Sequence, residues 1–189
     1  MKRPLFIPGE YYALQNHGNA DERIFKNEND FEYFRKNFEA EMNPVWQVVA
    51  WCFVPDGFKM IVKIKENDNA DLSLRQKSHL VSRHYANFMI KYAMRINRMH
   101  GRRGSLFARN FKRYRLANEH ELRKEILALH SKPLKRKLVK TKFAWPHSSC
   151  KMKLLKTDSL QAREMIRPFG NVINFIAAHS SNKDDDLAA

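Results

Sequence analysis

The stretch Val45–Ile64, VWQVVAWCFVPDGFKMIVKI, decides the fold class. Val45 to Val54 is β-branched and aromatic, the composition that packs best on a pleated surface. Pro55-Asp56-Gly57 is turn chemistry. Phe58 to Ile64 then resumes as a strand. Two such runs joined by so short a turn predict an antiparallel pair.

On the N-terminal side, Tyr11 to Asn16 reads as a short strand followed by a turn through Gly18 and Asn19. Asp30 has the chemistry of a helix cap. Phe31, Phe34 and Phe38 then recur at helical spacing until Asn43-Pro44 ends the run. On the C-terminal side, Lys65 to Asp71 is a polar loop. From Leu72 to Met99 a helical rhythm runs through Leu80, Tyr85, Phe88, Met89, Tyr92 and Ile96, and Gly101 closes it. Leu106 to Ala117 is expected to hold another strand. A helix follows from Asn118 to Ser131, stopping before Pro133. The chain is then basic to Lys156, with a short amphipathic helix at Leu160 to Ile166, a break at Phe169-Gly170 and a last segment from Val172 to His179. Strands interleave with helices and the strand pair is a hairpin, so the fold class is α+β with an antiparallel sheet. There is no internal repeat. Residues 1–180 read as one domain, and 181–189 as an acidic tail expected to be disordered.

The 189 residues, 43% hydrophobic, suffice for a proper core. No apolar run approaches the roughly 20 residues that span a bilayer, so no membrane association is expected. The opening MKRPLFIPGEYY lacks the features of a signal peptide. Cys52 and Cys150 do not make a disulfide framework, and a reducing cytoplasm is the expected location. The net charge of +15 is unevenly placed. Residues 1–71 carry 9 Lys+Arg against 12 Asp+Glu, or −3, whereas residues 72–189 carry 26 against 8, or +18. A field of that asymmetry favours a polyanion, through release of the counterions condensed on its phosphates.

Several segments have a more specific resemblance. Tyr11-Tyr12 with Asn16-His17-Gly18-Asn19, then Arg23-Ile24-Phe25, resembles the opening of the single-tyrosine HUH transposases, REP-associated tyrosine transposases included. Trp51 to Val62 is similar to their central strand, and Arg103-Gly104-Ser105-Leu106-Phe107 to Arg113 to their Gly-Leu-Phe-basic stretch. Leu127 to Leu134 and Trp145-Pro146-His147-Ser148-Ser149 are similar to the catalytic-helix region and the segment after it. The resemblance runs over residues 9–180 in one register. It implies a ferredoxin-like core with helices packed on the sheet.

In that family two histidines, separated by one bulky residue, share a strand face and hold a divalent cation. The cation polarises the scissile phosphate, and a tyrosine on the following helix attacks it. An amide four residues further on completes the metal shell. Carried over residue by residue, the histidine positions are Gly57 and Lys59, the nucleophile position is Ala128 and the amide position is Lys132. Glycine and alanine offer no ligand or nucleophile, and protonated lysine repels Mg²⁺. No metal, no cofactor and no catalysis by the family's mechanism are therefore expected. Lys59 and Lys132 should face one point, where they either hold a phosphate or are vestiges that point to water.

Basic residues interleave with aromatics from Lys91 through Arg95, Arg98, Arg102, Arg103, Arg109, Lys112 and Arg113 to Arg115, as a single strand or hairpin requires. The arginines around Gly101 and Gly104 have no evident acidic partners. Phe107 and Phe111 are expected in the core. A second basic stretch includes Lys132, Lys135, Arg136, Lys137, Lys140 and Lys142. His130 reads as a packing residue, Cys52 likewise, and the histidines show no metal-ligand spacing.

These readings predict a catalytically inactive, transposase-like protein that binds hairpin or single-stranded DNA, with RNA and a homodimer left open. Two other functions compete with it. One is an active nicking enzyme with a rebuilt site around Tyr114 or Tyr92, and the other is a protein-interaction module that kept the fold.

Overall fold

The computed structural model describes residues 4–66, 71–109, 111–150 and 159–180; the expected acidic tail and Lys151 to Lys156 lie outside the described residues. The elements are β1 (Tyr11–His17), α1 (Glu28–Met42), β2 (Trp46–Val54), β3 (Gly57–Ile64), α2 (Leu74–Met99), β4 (Lys112–Leu116), α3 (Glu119–Lys135), α4 (Leu160–Ile166) and α5 (Val172–Ser180). The strands form one four-stranded sheet in the order β2-β3-β1-β4, with every neighbouring pair antiparallel. That order, with helices after β1 and β3, is the ferredoxin-like β-α-β-β-α-β arrangement.

Both faces of the sheet are covered, which explains the nearly unbroken apolar runs of β2 and β3. Leu14, Phe58, Met60 and Val62 join Phe34 and Phe38 of α1 and Phe88 and Tyr92 of α2 in one core. Ala13, Cys52, Val54 and Ile61 point the other way, against Leu122, Ile126 and Leu129 of α3 and Phe175 of α5. A register shift between Val48 and Ala50 places an extra residue in β2. Trp46 before it and Trp51 and Phe53 after it therefore face the same core despite their mixed parity.

Three boundaries differ from the sequence reading. The cap of α1 is Asn27, whose side chain accepts from the Asp30 N–H at 3.1 Å. Asp30 instead lies buried in the first turn and accepts from the Lys26 N–H at 3.0 Å. α2 opens two residues later than the apolar rhythm, at Leu74, capped by Ser73, which forms a reciprocal capping box with Gln76. α3 does not stop at Ser131 but runs through Pro133 to Lys135. Proline withholds only its own N–H from the ladder and is buried here, so packing of that last turn outweighs the lost bond. The strand expected within Leu106–Ala117 is Lys112–Leu116. The first part of that stretch is held by a single bridge between Gly18 and Phe107. No helix of the described residues is long and apolar enough to cross a membrane.

Candidate nucleic-acid interface

β1 and β3 end together at the His17–Gly57 pair. There the Gly18 N–H donates to Asp56 O at 2.8 Å and the Ala108 N–H donates to His17 O at 2.9 Å. The β2–β3 turn and the loop after α2 thus sit at one end of the sheet. Arg136, just past α3, ion-pairs with Asp56 in that turn, bringing the end of the helix to the same place. Two basic segments far apart in sequence consequently meet: the loop carrying Arg102, Arg103 and Arg109, and the α3 terminus carrying Lys132, Lys135 and Arg136. Lys112 and Lys59 join them on the α3 face of the sheet, both paired with Gln15 of β1. Arg113 and Arg115 do not. They alternate onto the opposite face, where Arg113 lies over the Phe6 ring and donates to Pro4 O, and Arg115 pairs with Glu10 at 2.9 Å.

The cations at this end differ in how far they are already neutralised. Arg102 has partners after all: it donates to both carboxylate oxygens of Glu22 and to Asn97. Glu22 lies some 80 residues before it, so the neighbouring sequence gave no sign of the pair. Arg136 is committed to Asp56, and burial works against that carboxylate, yet the guanidinium holds its pKa below the usual range. Arg103, Arg109, Lys112 and Lys135 are exposed and carry no ion pair among the described residues. Phe107 and Phe111 pack against the core, with Phe111 stacked on Tyr85 at 4.5 Å.

The four positions carried over from the HUH resemblance lie along this same end. Gly57 and Lys59 share the α3 face of β3, as their spacing predicts. A Cβ on Gly57 would lie 2.8 Å from Asn16 O and 3.3 Å from His17 Cα, so no side chain fits without moving backbone. Lys59 Nζ is 2.6 Å from Glu125 Oε1, with both side chains largely buried. The Tyr114 hydroxyl donates to the same oxygen. Ala128, one turn along α3 from Glu125, is exposed. One further turn on, the Lys132 amine is held below its ordinary pKa, first by burial and then by the Arg136 charge, with Lys59 acting in the same direction. The carboxylates nearby, Glu125 and Asp56, are engaged by Lys59 and Arg136.

Of the two tyrosines weighed as substitute nucleophiles, Tyr92 is fully buried and donates to Ile24 O at 2.9 Å, which excludes it from solvent and substrate alike. Tyr114 is 38% exposed and lies within the basic end. Its phenol pKa is pushed up, first by burial and then by the bond to Glu125.

Sequence reasoning missed a second group altogether. His130 of α3, His179 of α5 and Cys150 are buried, and one ligand-type atom of each lies within 4.8 Å of the others. The three come from separate segments, so no local spacing could reveal them. Cys52 is buried as expected, its thiol pushed up to about 12 by that burial.

Comparison of the sequence with protein-family models and with curated proteins gives no match. The fold does have a counterpart. It is similar to the solved structure of a REP-associated tyrosine transposase bound to a REP hairpin, with a TM-score of 0.55 and 15% sequence identity, covering 79% of this chain and 81% of that chain. The chain thus shares the α+β fold of that transposase, a four-stranded antiparallel sheet with helices packed on it.

Proposed function

We propose that this protein binds hairpin or single-stranded nucleic acid, DNA in the first instance, through the basic end of its sheet, and does not cut it. The observation that carries this reading is the content of the place where an HUH protein would seat its ion. At the positions the resemblance assigns to it, Lys59 is ion-paired with Glu125, Gly57 has no room for a side chain, and Ala128 supplies no nucleophile. The surrounding cations retain the means to follow a phosphate backbone, and the fold is one that in another protein is found bound to a hairpin.

A second reading is favoured by one contact. Tyr114 donates to Glu125, a carboxylate able to take its proton, so a rebuilt nucleophile at Tyr114 is the form that residual cleavage would take.

Binding of labelled hairpin, single-stranded and duplex DNA and RNA at low salt, repeated at higher salt, tests the proposal. Replacing Arg103, Arg109, Lys112 and Lys135 together by Ala removes four cations not tied to acids. If all four touch phosphate, the slope of log K against log salt flattens by about 3, at roughly 0.7–0.9 per contact. Hairpin binding absent at low salt, or a slope unchanged in this variant, would remove the interface from consideration.

A further inference from the structure

We propose that His130, His179 and Cys150 form a buried site for a borderline-soft divalent cation of the Zn²⁺ type, which ties α5 to α3 and to the segment that pairs with β2. This inference stands apart from the nucleic-acid reading, and none of its three ligands belongs to that interface.

The geometry has the two layers that a metal site needs. In the inner layer, His130 Nδ1 and His179 Nε2 face each other at 2.8 Å, with the Cys150 side chain beside them. Two imidazoles and one thiolate suit Zn²⁺ better than Mg²⁺ or Ca²⁺, which demand oxygen ligands. In the outer layer, each ring is held by its other nitrogen. His179 Nδ1 donates to Phe175 O at 2.7 Å, which leaves the lone pair on Nε2, pointed inward. His130 Nε2 lies 2.7 Å from Ser149 Oγ. Such outer partners fix the tautomer and orientation of ligating histidines. A cavity of about 180 Å³, lined by residues that include Leu134, Lys142 and His179, reaches the group from the α5 side.

Ion binding has a definite proton balance. In the metal-free protein His130 Nδ1–H donates to His179 Nε2, and the Ser149 hydroxyl donates to His130 Nε2. On binding, the Ser149 hydroxyl turns to Trp51 O, 3.2 Å away, and His130 carries its proton on Nε2 instead, donating to Ser149. Both inner nitrogens then present lone pairs to the ion. The Cys150 S–H bond breaks as the metal–sulfur bond forms, and its proton leaves to solvent, one per ion. Lys142, itself buried, lies within electrostatic reach of His130 and Cys150. Its charge favours the thiolate and opposes the cation.

Titration of the metal-stripped full chain with Co²⁺, a coloured stand-in for Zn²⁺, is the test. The expected result is an equimolar endpoint with visible ligand-field bands and a thiolate-to-Co²⁺ charge-transfer band. Cys150→Ser should abolish the charge-transfer band, and His179→Gln should weaken the ligand-field bands, in protein whose circular dichroism is unchanged. Zn²⁺ at about 100 times its Kd should raise Tm of the wild type by roughly 5–10 °C. Wild-type protein that takes up no Co²⁺ and gains no Tm from Zn²⁺ overturns the proposal. So does a charge-transfer band that survives Cys150→Ser.

Discussion

Glu125 is the residue on which the candidate interface turns, and Glu125→Gln separates its structural role from its electrostatic one. The carboxylate neutralises Lys59 at 2.6 Å in a setting where the two side chains are only 13% and 14% exposed. Removing one partner of a buried pair costs about 3–5 kcal/mol, and the residual exposure places this pair at the low end, about 3 kcal/mol. For a chain of this length about 2–4 °C is lost per kcal/mol, so Tm should fall by roughly 6–12 °C. The freed ammonium, however, joins Lys132 at the basic end. One additional phosphate contact should steepen the salt slope by about 0.7–0.9 and tighten hairpin binding at low salt about tenfold, or about 1.4 kcal/mol. Glu164→Gln is the control. Glu164 holds Lys63 at 3.1 Å, but Lys63 pairs with Tyr11 at the opposite end of β3, so its release should lower Tm without tightening binding. Fluorescence anisotropy of a labelled hairpin across a salt series, with thermal unfolding of the same samples, reads both effects. A Glu125→Gln protein that loses stability but keeps the wild-type Kd and slope would show that Lys59 does not face the nucleic acid.

Two further outcomes follow from the packing and the titrating groups. Gly57→His, which puts a histidine at the position the HUH resemblance assigns to the first ligand, should destabilise the fold by about 1–3 kcal/mol in chemical denaturation, because its Cβ meets the Asn16 carbonyl; a neutral substitution would mean that β1 yields freely. His130 is buried, and burial, followed by the neighbouring His179 and the Lys142 charge, holds its pKa well below the usual value of 6.5, so the folded protein leaves it neutral where the unfolded chain protonates it. Below about pH 6.5 the unfolded state then binds the extra proton, and stability should fall by up to about 1.4 kcal/mol per pH unit until the folded pKa is reached. His130→Gln should flatten that limb of the stability–pH curve, and an unchanged limb would assign it to other groups.

The hairpin at Pro55-Asp56, the long amphipathic α2 and the short helices near the C-terminus were legible because each is written in local chemistry. The same holds for the shared face of Gly57 and Lys59, which strand geometry fixes once β3 is identified. What was not legible depends on partners distant in sequence. Arg102 looked unpaired because Glu22 reaches it only after β1 and the loop behind α2 come together. Lys59 looked free to hold a phosphate because Glu125 belongs to a helix whose docking on the sheet no pattern in β3 announces. His130 looked like simple packing because its neighbours, Cys150 and His179, come from two other segments. Pro133 ended the predicted helix because propensity was the only information available, whereas burial of the last turn decided the outcome.

The proposed function requires that Gly57, Lys59, Ala128 and Lys132 provide neither a seat for a metal ion nor a nucleophile. Incubating rigorously purified protein with an end-labelled hairpin and Mg²⁺ or Mn²⁺, followed by denaturing electrophoresis, addresses it directly, with Tyr114→Phe run in parallel. An intact hairpin is expected in every lane, under conditions where binding is saturated. A covalent protein–DNA adduct that forms with the wild type would contradict it, and loss of that adduct in Tyr114→Phe would identify the phenol responsible.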